Sequence, residues 1–433
     1  MKGTAEESGK NVKRVVVVGA GIAGFTAAKT LASIGRGLEI VLVNGEDRLP
    51  YKRTKISKNM PFARDAFALE NEEWYESNGV ALLSGRRIVE LETQRKRAIL
   101  DDGQTIRWDA VVLATGSVST PPAVPGADRV PVYTVWTAAD VERLLDATKG
   151  ARRILVVGGG VLGVEVCEQF SRMERDVIFC VSARGVMGKQ LNAYASGHIS
   201  RLLESKGIEI VTGKRFSALE PGIRGEAYQA AGITALLGND SITVDAVVAC
   251  TGVQPAVELA ARSGIVVRRG IAVNEYLETS VPGVFAAGDA AEHEHGFLSC
   301  LWHAAEYQGE IAAQNAAFYL GVAPAERRSL FENPPFRLKC EVFGQYYFSA
   351  GMLPGVNTAH AAAAVVSGAV DAGPAYHAVE ENGSADRYRL LWYRENRLVG
   401  VIMVNDGDHA KAYQKAVREG WEPNRLEEEL GWS

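Results

Sequence analysis

The stretch Lys13-Arg14-Val15-Val16-Val17-Val18-Gly19-Ala20-Gly21-Ile22-Ala23-Gly24 decides the fold class of this chain. A β-branched run closed by glycine reads as a buried parallel strand. Residues 25–33 are Ala-rich and favour helix, and Leu38-Glu39-Ile40-Val41-Leu42-Val43 reads as a second strand. Strand, Gly-x-Gly-x-x-Gly turn, helix and strand, in that order, make the βαβ unit that binds dinucleotides. Gly19 permits the tight turn, Gly21 lets the backbone approach a pyrophosphate, and Gly24 lets the helix pack closely on the strand. The helix N-terminus presents N–H groups and the positive end of its dipole to phosphate. Glu46, about 20 residues further on, stands where a carboxylate accepts hydrogen bonds from an adenosine ribose.

The pattern returns at Arg153-Ile154-Leu155-Val156-Val157 followed by Gly158-Gly159-Gly160-Val161-Leu162-Gly163, with a helix over 164–173 and a strand over 176–181. Two such units imply two dinucleotides, or one dinucleotide and one relic site. Val181 fills the place where an acid would hold an NAD ribose, and Ser182 and Arg184 lie just beyond it. An arginine there can pair with the 2′-phosphate of NADP, so NADPH is slightly favoured over NADH. The alternative is that Arg184 is a solvated surface charge. A third site is Val284-Phe285-Ala286-Ala287-Gly288-Asp289, a short apolar strand running into Gly-Asp. Beside two dinucleotide loops, its carboxylate suits a polyol hydroxyl such as that of a flavin ribityl chain.

The rest of the chain narrows the class. Its 433 residues suit roughly two to four domains. The formal net charge of −5 gives no overall attraction to nucleic acid or to an anionic membrane. The five cysteines form no CxxC, zinc spacing or disulfide framework. Residues 1–12 are polar and read as a disordered tail without the apolar core of a signal peptide. No stretch reaches the ~20 apolar residues of a membrane span. Cytoplasmic location is the default that follows. The 45 glycines are the one compositional excess, and the phosphate loops account for part of it.

These three sites, in this order, resemble the two-dinucleotide-binding-domain flavoproteins, the pyridine nucleotide–disulfide oxidoreductase superfamily, over about residues 12–320. Val111-Val112-Leu113-Ala114-Thr115-Gly116 and Val248-Ala249-Cys250-Thr251-Gly252 are similar to the two "ATG" strand ends of that family. The resemblance implies an α/β fold with two Rossmann-like domains, for FAD and NAD(P), plus a small C-terminal α+β domain. It places FAD on Gly19, Gly21, Gly24, Glu46, Gly288 and Asp289, with Arg53, Lys58, Thr115, Gly116 and Trp302 completing the contacts. It places NAD(P)H on Gly158, Gly160, Gly163, Arg184 and Gly252. Disulfide reductases carry a CxxxxC near the first flavin helix, and coenzyme A disulfide reductases and NADH oxidases a single cysteine there. Glu46 to Met60 here reads EDRLPYKRTKISKNM and holds none. Its LPYKRTKISK instead is similar to the "PYxRxxLSK" segment of rubredoxin reductases, oxygenase-coupled ferredoxin reductases and the flavin part of NAD(P)H nitrite reductases.

In those relatives the lysine of that segment lies near the flavin and pairs with a glutamate after the second glycine loop. Lys58 and Glu165 match these positions and are the expected catalytic residues, with a structural ion pair as the alternative. A lysine there supplies positive charge where electron density develops, and the glutamate keeps it protonated. Residues 302–318 are helix-patterned, and in the family such a helix aims its N-terminus at the flavin. Trp302 could stack near the flavin or pack in the core. His303, His293, His295 and Cys300 read as packing or solvent-facing residues, and no metal site is expected.

The expected domains are 13–118 with 250–332 for FAD, 119–249 for NAD(P), and 336–433 at the C-terminus. The last amphipathic helix runs over 409–418, and a charged tail follows. The expected function is hydride transfer from NAD(P)H to FAD, then electron transfer to a separate rubredoxin- or ferredoxin-like acceptor, by a monomer or homodimer. Two alternatives stay open. One is the flavin subunit of a larger, nitrite-reductase-like complex. The other is a sensor flavoprotein with a decayed nicotinamide site.

Overall fold

The computed structural model describes residues 12–35, 37–181, 185–222, 232–323, 327–354, 356, 377–382 and 387–431. The tail 1–11, Ser182, Arg184 and the Ala/Gly-rich passage 359–375 lie outside the described residues. The chain divides into two compact units. One comprises the described residues of Met1–Lys52, Ala63–Val118 and Pro255–Asn333. The other comprises those of Arg53–Phe62, Ser119–Gln254 and Pro334–Ser433.

The first unit is built on a five-stranded parallel sheet in the order Val284–Ala286, Ala110–Leu113, Lys13–Val18, Leu38–Asn44, Val80–Ser84. Its central strand pairs Val15 with Ile40 on one side and Ala110 on the other. Val15, Val16 and Val17 are fully buried, which is why that strand reads as an unbroken apolar run. The helices Ile22–Ile34 and Trp302–Tyr319 pack on this sheet through small residues. They approach so closely that a Cβ on Gly309 would lie 2.2 Å from the carbonyl oxygen of Ala23. A three-stranded antiparallel sheet, Ile88–Glu92, Arg97–Leu100 and Thr105–Arg107, extends the unit.

The second unit repeats the theme with a parallel sheet in the order Glu209–Thr212, Asp176–Val181, Arg153–Val157, Ala246–Ala249, Val132–Thr134. The helix Val161–Arg172 follows its central strand. A five-stranded antiparallel sheet, Arg337–Val342, Gln345–Gly351, Arg397–Val404, Tyr388–Arg394 and His377–Asn382, forms the C-terminal part with the helix Ala410–Glu419. What reads as a charged tail folds as a further helix, Pro423–Leu430. Proline sits in its first turn, where no N–H is needed, and Leu426 and Leu430, one turn apart, are buried. Residues 53–62 belong to this second unit although the chain on either side of them belongs to the first. No helix among the described residues is long and apolar enough to cross a membrane.

Candidate cofactor and electron-transfer site

The first glycine loop can be tested for a phosphate position by asking what a side chain would meet. A Cβ on Gly19 (φ +101°) would lie 2.2 Å from the Ala114 carbonyl oxygen, and one on Gly24 would lie 1.8 Å from the carbonyl oxygen of Gly19. A Cβ on Gly21 would meet nothing within 4 Å. Two glycines are therefore required by the chain itself, and the third faces open space at a helix N-terminus that no side chain caps. That combination fits a pyrophosphate. The second loop repeats it. A Cβ on Gly158 (φ +115°) would lie 2.2 Å from the Cys250 carbonyl oxygen, one on Gly163 would lie 2.1 Å from the carbonyl oxygen of Gly158, and one on Gly160 would meet nothing within 4 Å. Ala114 and Cys250 each precede a Thr-Gly pair, so each "ATG" strand end places a carbonyl under the first glycine of a loop. Thr115 Oγ1 then donates to the Ala256 carbonyl at 2.7 Å, and Thr251 Oγ1 to that of Thr120 at 2.6 Å. Gly116 (φ +70°) and Gly252 (φ +116°) take the left-handed turns that follow.

Gly288 (φ +79°) and Asp289 form a tight turn after the strand Val284–Ala286. Ser117 Oγ donates to Asp289 Oδ2 at 2.6 Å, and Gly288 N donates to Gln308 Oε1 at 2.6 Å. Glu46 accepts from the Tyr51 hydroxyl at 2.9 Å on one oxygen and 3.2 Å on the other. Asn44 accepts from the Glu46 N–H at 3.1 Å, so the acid sits in a defined turn. Trp302 and His303 open the helix Trp302–Tyr319 and are half-buried.

In the second unit Lys58 Nζ lies 3.2 Å from Glu165 Oε1, and Ser57 Oγ donates to Glu165 Oε2 at 2.5 Å. Glu165 is buried in the helix Val161–Arg172, and burial raises its carboxyl above the ordinary value, against the lowering effects of Lys58 and Ser57. One turn later Gln169 Oε1 accepts from the Met60 N–H at 2.9 Å. Arg53 donates to the Trp136 carbonyl at 2.5 Å and lies over its ring at 5.5 Å.

A family model described as pyridine nucleotide-disulphide oxidoreductase matches residues 13–309. The chain belongs to that family. Its members pair FAD with a pyridine nucleotide, and both classes of cofactor fit the two loops described above. Rhodocoxin reductase of Rhodococcus erythropolis is 30% identical over 405 residues, which are 92% of this chain and 88% of that one. The assimilatory nitrate reductase electron transfer subunit of Bacillus subtilis is 28% identical over 72% of this chain and 41% of its own. The chain thus spans about two fifths of that relative's length. A ferredoxin reductase structure from Rhodopseudomonas palustris matches with a TM-score of 0.79 at 22% identity, over 95% of this chain and 96% of that one, and shares its fold.

Within this family frame, the residues expected around FAD in the first unit fall on the glycine loop, the Gly-Asp turn and the start of the helix Trp302–Tyr319. Arg53 and Lys58 fall in the second unit. Arg184 lies outside the described residues, and Val181 is fully buried, its Cγ1 2.4 Å from where a Cβ on Gly159 would be. Cys167, Cys180, Cys250 and Cys340 are buried, and burial pushes the Cys180 thiol up to about 11. Cys300 is exposed at φ +45°. Among the described residues no three potential ligands form a metal cluster. His293 stacks on Phe331 with centroids 4.6 Å apart, and burial lowers its pKa to about 4, so it is neutral.

Sequence reasoning passed over Gln308. It is fully buried, and its amide spans Gly288 N, His293 Nε2 at 2.9 Å and Ser299 Oγ at 3.3 Å. A polar side chain in the middle of an Ala-rich helix was the available signal. Gln308→Leu leaves the Gly288 N–H without this acceptor and is expected to cost about 1–3 kcal/mol. Urea unfolding measures the cost, and FAD retention on desalting should fall with it.

Proposed function

We propose that the chain is an FAD-dependent NAD(P)H oxidoreductase that passes electrons to a separate small redox protein of rubredoxin or ferredoxin type. The observation that carries this reading is the segment 46–60, which has no thiol and holds Lys58 against a buried Glu165. When bound in the first glycine loop, FAD would supply the chemistry of taking hydride from NAD(P)H and giving electrons singly to the acceptor. The protein's part is positional and electrostatic. Gly21 and Gly160 admit the two pyrophosphates to the helix N-termini. Asp289 offers its carboxylate to a polyol hydroxyl, and Glu46 its own to a ribose. Lys58 supplies positive charge where negative charge accumulates, with Glu165 as its counter-ion. Rhodocoxin reductase, by its name, acts on rhodocoxin, a separate acceptor, and the likeness covers most of both chains. The likeness to part of an electron transfer subunit favours the second reading, a flavin component of a larger complex.

Anaerobic mixing of the FAD-loaded protein with each nicotinamide tests the proposal, since the flavin band should bleach within one turnover. Absence of bleaching with both NADH and NADPH would sink it. NADPH is the favoured donor because Val181 offers no carboxylate to a ribose and Arg184 can meet a 2′-phosphate. Arg184→Ala is expected to raise KM for NADPH about tenfold, ~1.4 kcal/mol, and to leave that for NADH unchanged. Reoxidation by candidate acceptors, and copurification of a stoichiometric partner, separate the two readings of the outlet.

A further inference from the structure

Glu165 is held from two sides, and only one of them is the lysine. Its Oε1 faces Lys58 Nζ at 3.2 Å, and its Oε2 takes the Ser57 hydroxyl at 2.5 Å. The two partners are neighbours in the chain, so one short segment grips both oxygens of one carboxylate. The same segment is fixed again by the Met60 N–H on Gln169. Glu165 and Gln169 lie four residues apart on one helix face, and residues 57, 58 and 60 are bonded to that face. The site is otherwise unfavourable to a carboxylate. Burial raises the Glu165 carboxyl, and the Glu168 charge raises it further. The Cys250 and Cys340 thiols, one just past the strand Ala246–Ala249 and the other in the strand Arg337–Val342, also interact electrostatically with Glu165 and are themselves pushed up by burial and its charge. Glu168 is engaged elsewhere, by Arg172 at 2.8 Å and by the Phe343 N–H at 2.9 Å. Among the described residues, Lys58 is the cation and Ser57 the neutral donor that favour the ionised Glu165.

We propose that Ser57 is a positioning residue for the electron-transfer lysine: its hydroxyl keeps Glu165 ionised, and the ionised Glu165 keeps Lys58 in place. The proposal rests on the reading of Lys58 given under the proposed function. A hydrogen bond to the charged form of a buried carboxylate favours that form. Without it, Glu165 takes up a proton at higher pH, the counter-ion of Lys58 disappears, and the lysine turns to solvent, to which its side chain is already about one-third exposed. Gln169 serves the same end by fixing the backbone beyond Lys58. Serine suits this role because its hydroxyl donates without adding a charge to the cluster.

The test is the two-electron midpoint potential of the flavin in the FAD-loaded full chain, measured from pH 5 to 9 with dithionite and mediators, so that no nicotinamide is needed. The wild-type curve should show a break where Glu165 titrates. Ser57→Ala should move that break up by about one pH unit and lower the potential below it, and Ser57→Thr, which keeps the hydroxyl, should restore both. The Glu165 carboxyl 13C resonance should titrate with the same midpoint in each protein. A Ser57→Ala curve identical to wild type, with Lys58→Met shifted, overturns the role of Ser57 while leaving that of Lys58 intact. A Lys58→Met curve identical to wild type overturns both. An equal loss in the Ala and Thr variants at every pH shows packing alone and overturns the proposal as well.

Discussion

Gly24→Val is expected to yield a protein whose first unit does not assemble, with no FAD retained and an unfolding free energy lowered by more than about 3 kcal/mol. A Cβ at that position would stand 1.8 Å from the Gly19 carbonyl oxygen and 3.2 Å from the Ala114 Cβ. The first neighbour is backbone at the end of the central strand, so no side-chain rotation relieves the overlap. Helix Ile22–Ile34 would have to move off the sheet, and it also carries the close approach to Gly309. Gly21→Ala makes the contrast. Nothing lies within 4 Å of the added methyl, so the protein should fold with wild-type stability, within about 0.5 kcal/mol, yet hold FAD far more weakly because the methyl occupies the approach of the pyrophosphate. Urea unfolding and FAD content after gel filtration separate the two outcomes. Equal effects from the two substitutions would refute the division of labour. In the second loop Gly160→Ala should spare FAD and weaken only the nicotinamide.

Glu165→Gln is the second large effect, and its two readouts should move in opposite directions. Rapid reduction by NAD(P)H should slow by about 10²-fold, because the lysine loses its fixed counter-ion. Stability should respond otherwise. The Glu165 carboxyl is raised in the folded state, so the folded protein binds this proton more tightly than the unfolded chain. The stabilisation that goes with it is complete below the ordinary glutamate pKa of ~4.3 and is lost as pH rises through the raised folded value. Glutamine removes that loss and can still accept from Ser57. The Tm of Glu165→Gln relative to wild type should therefore climb as pH goes from 4 to 8. A difference that falls over this range contradicts the account. A buried ion pair kept at a cost in stability fits a role in electron transfer.

What could be read from the chain depended on how local each requirement is. Gly19, Gly24, Gly158 and Gly163 answer to backbone only a few residues away or to a strand end with its own motif, so the loops and both parallel sheets were legible. The open space before Gly21 and Gly160 is the ligand's side of the same pattern. The pairing of Lys58 with Glu165 joins residues from distant parts of the chain and was reachable only through resemblance. The partners of Ser57, Gln169 and Gln308 were not reachable, because a polar residue's hydrogen-bond partner depends on which helix face meets which turn. The helix Pro423–Leu430 was hidden by its three consecutive glutamates, whose charge masked the spacing of Leu426 and Leu430. Tyr51 shows the converse, since its place in a recurring segment is explained by the hydroxyl it gives Glu46.

The membership of residues 53–62 has a practical and an evolutionary side. A graft that exchanges nucleotide-binding modules between homologues by cutting at 118 and 255 would leave behind the ten residues whose hydrogen bonds Glu165 and Gln169 accept. A transplanted module would then carry a buried carboxylate and a buried amide matched to a foreign strap. Chimeras should fare better when the strap travels with its helix, and natural recombination at these borders should have been constrained in the same way. The inheritable piece is discontinuous, a long segment together with a short one encoded far upstream.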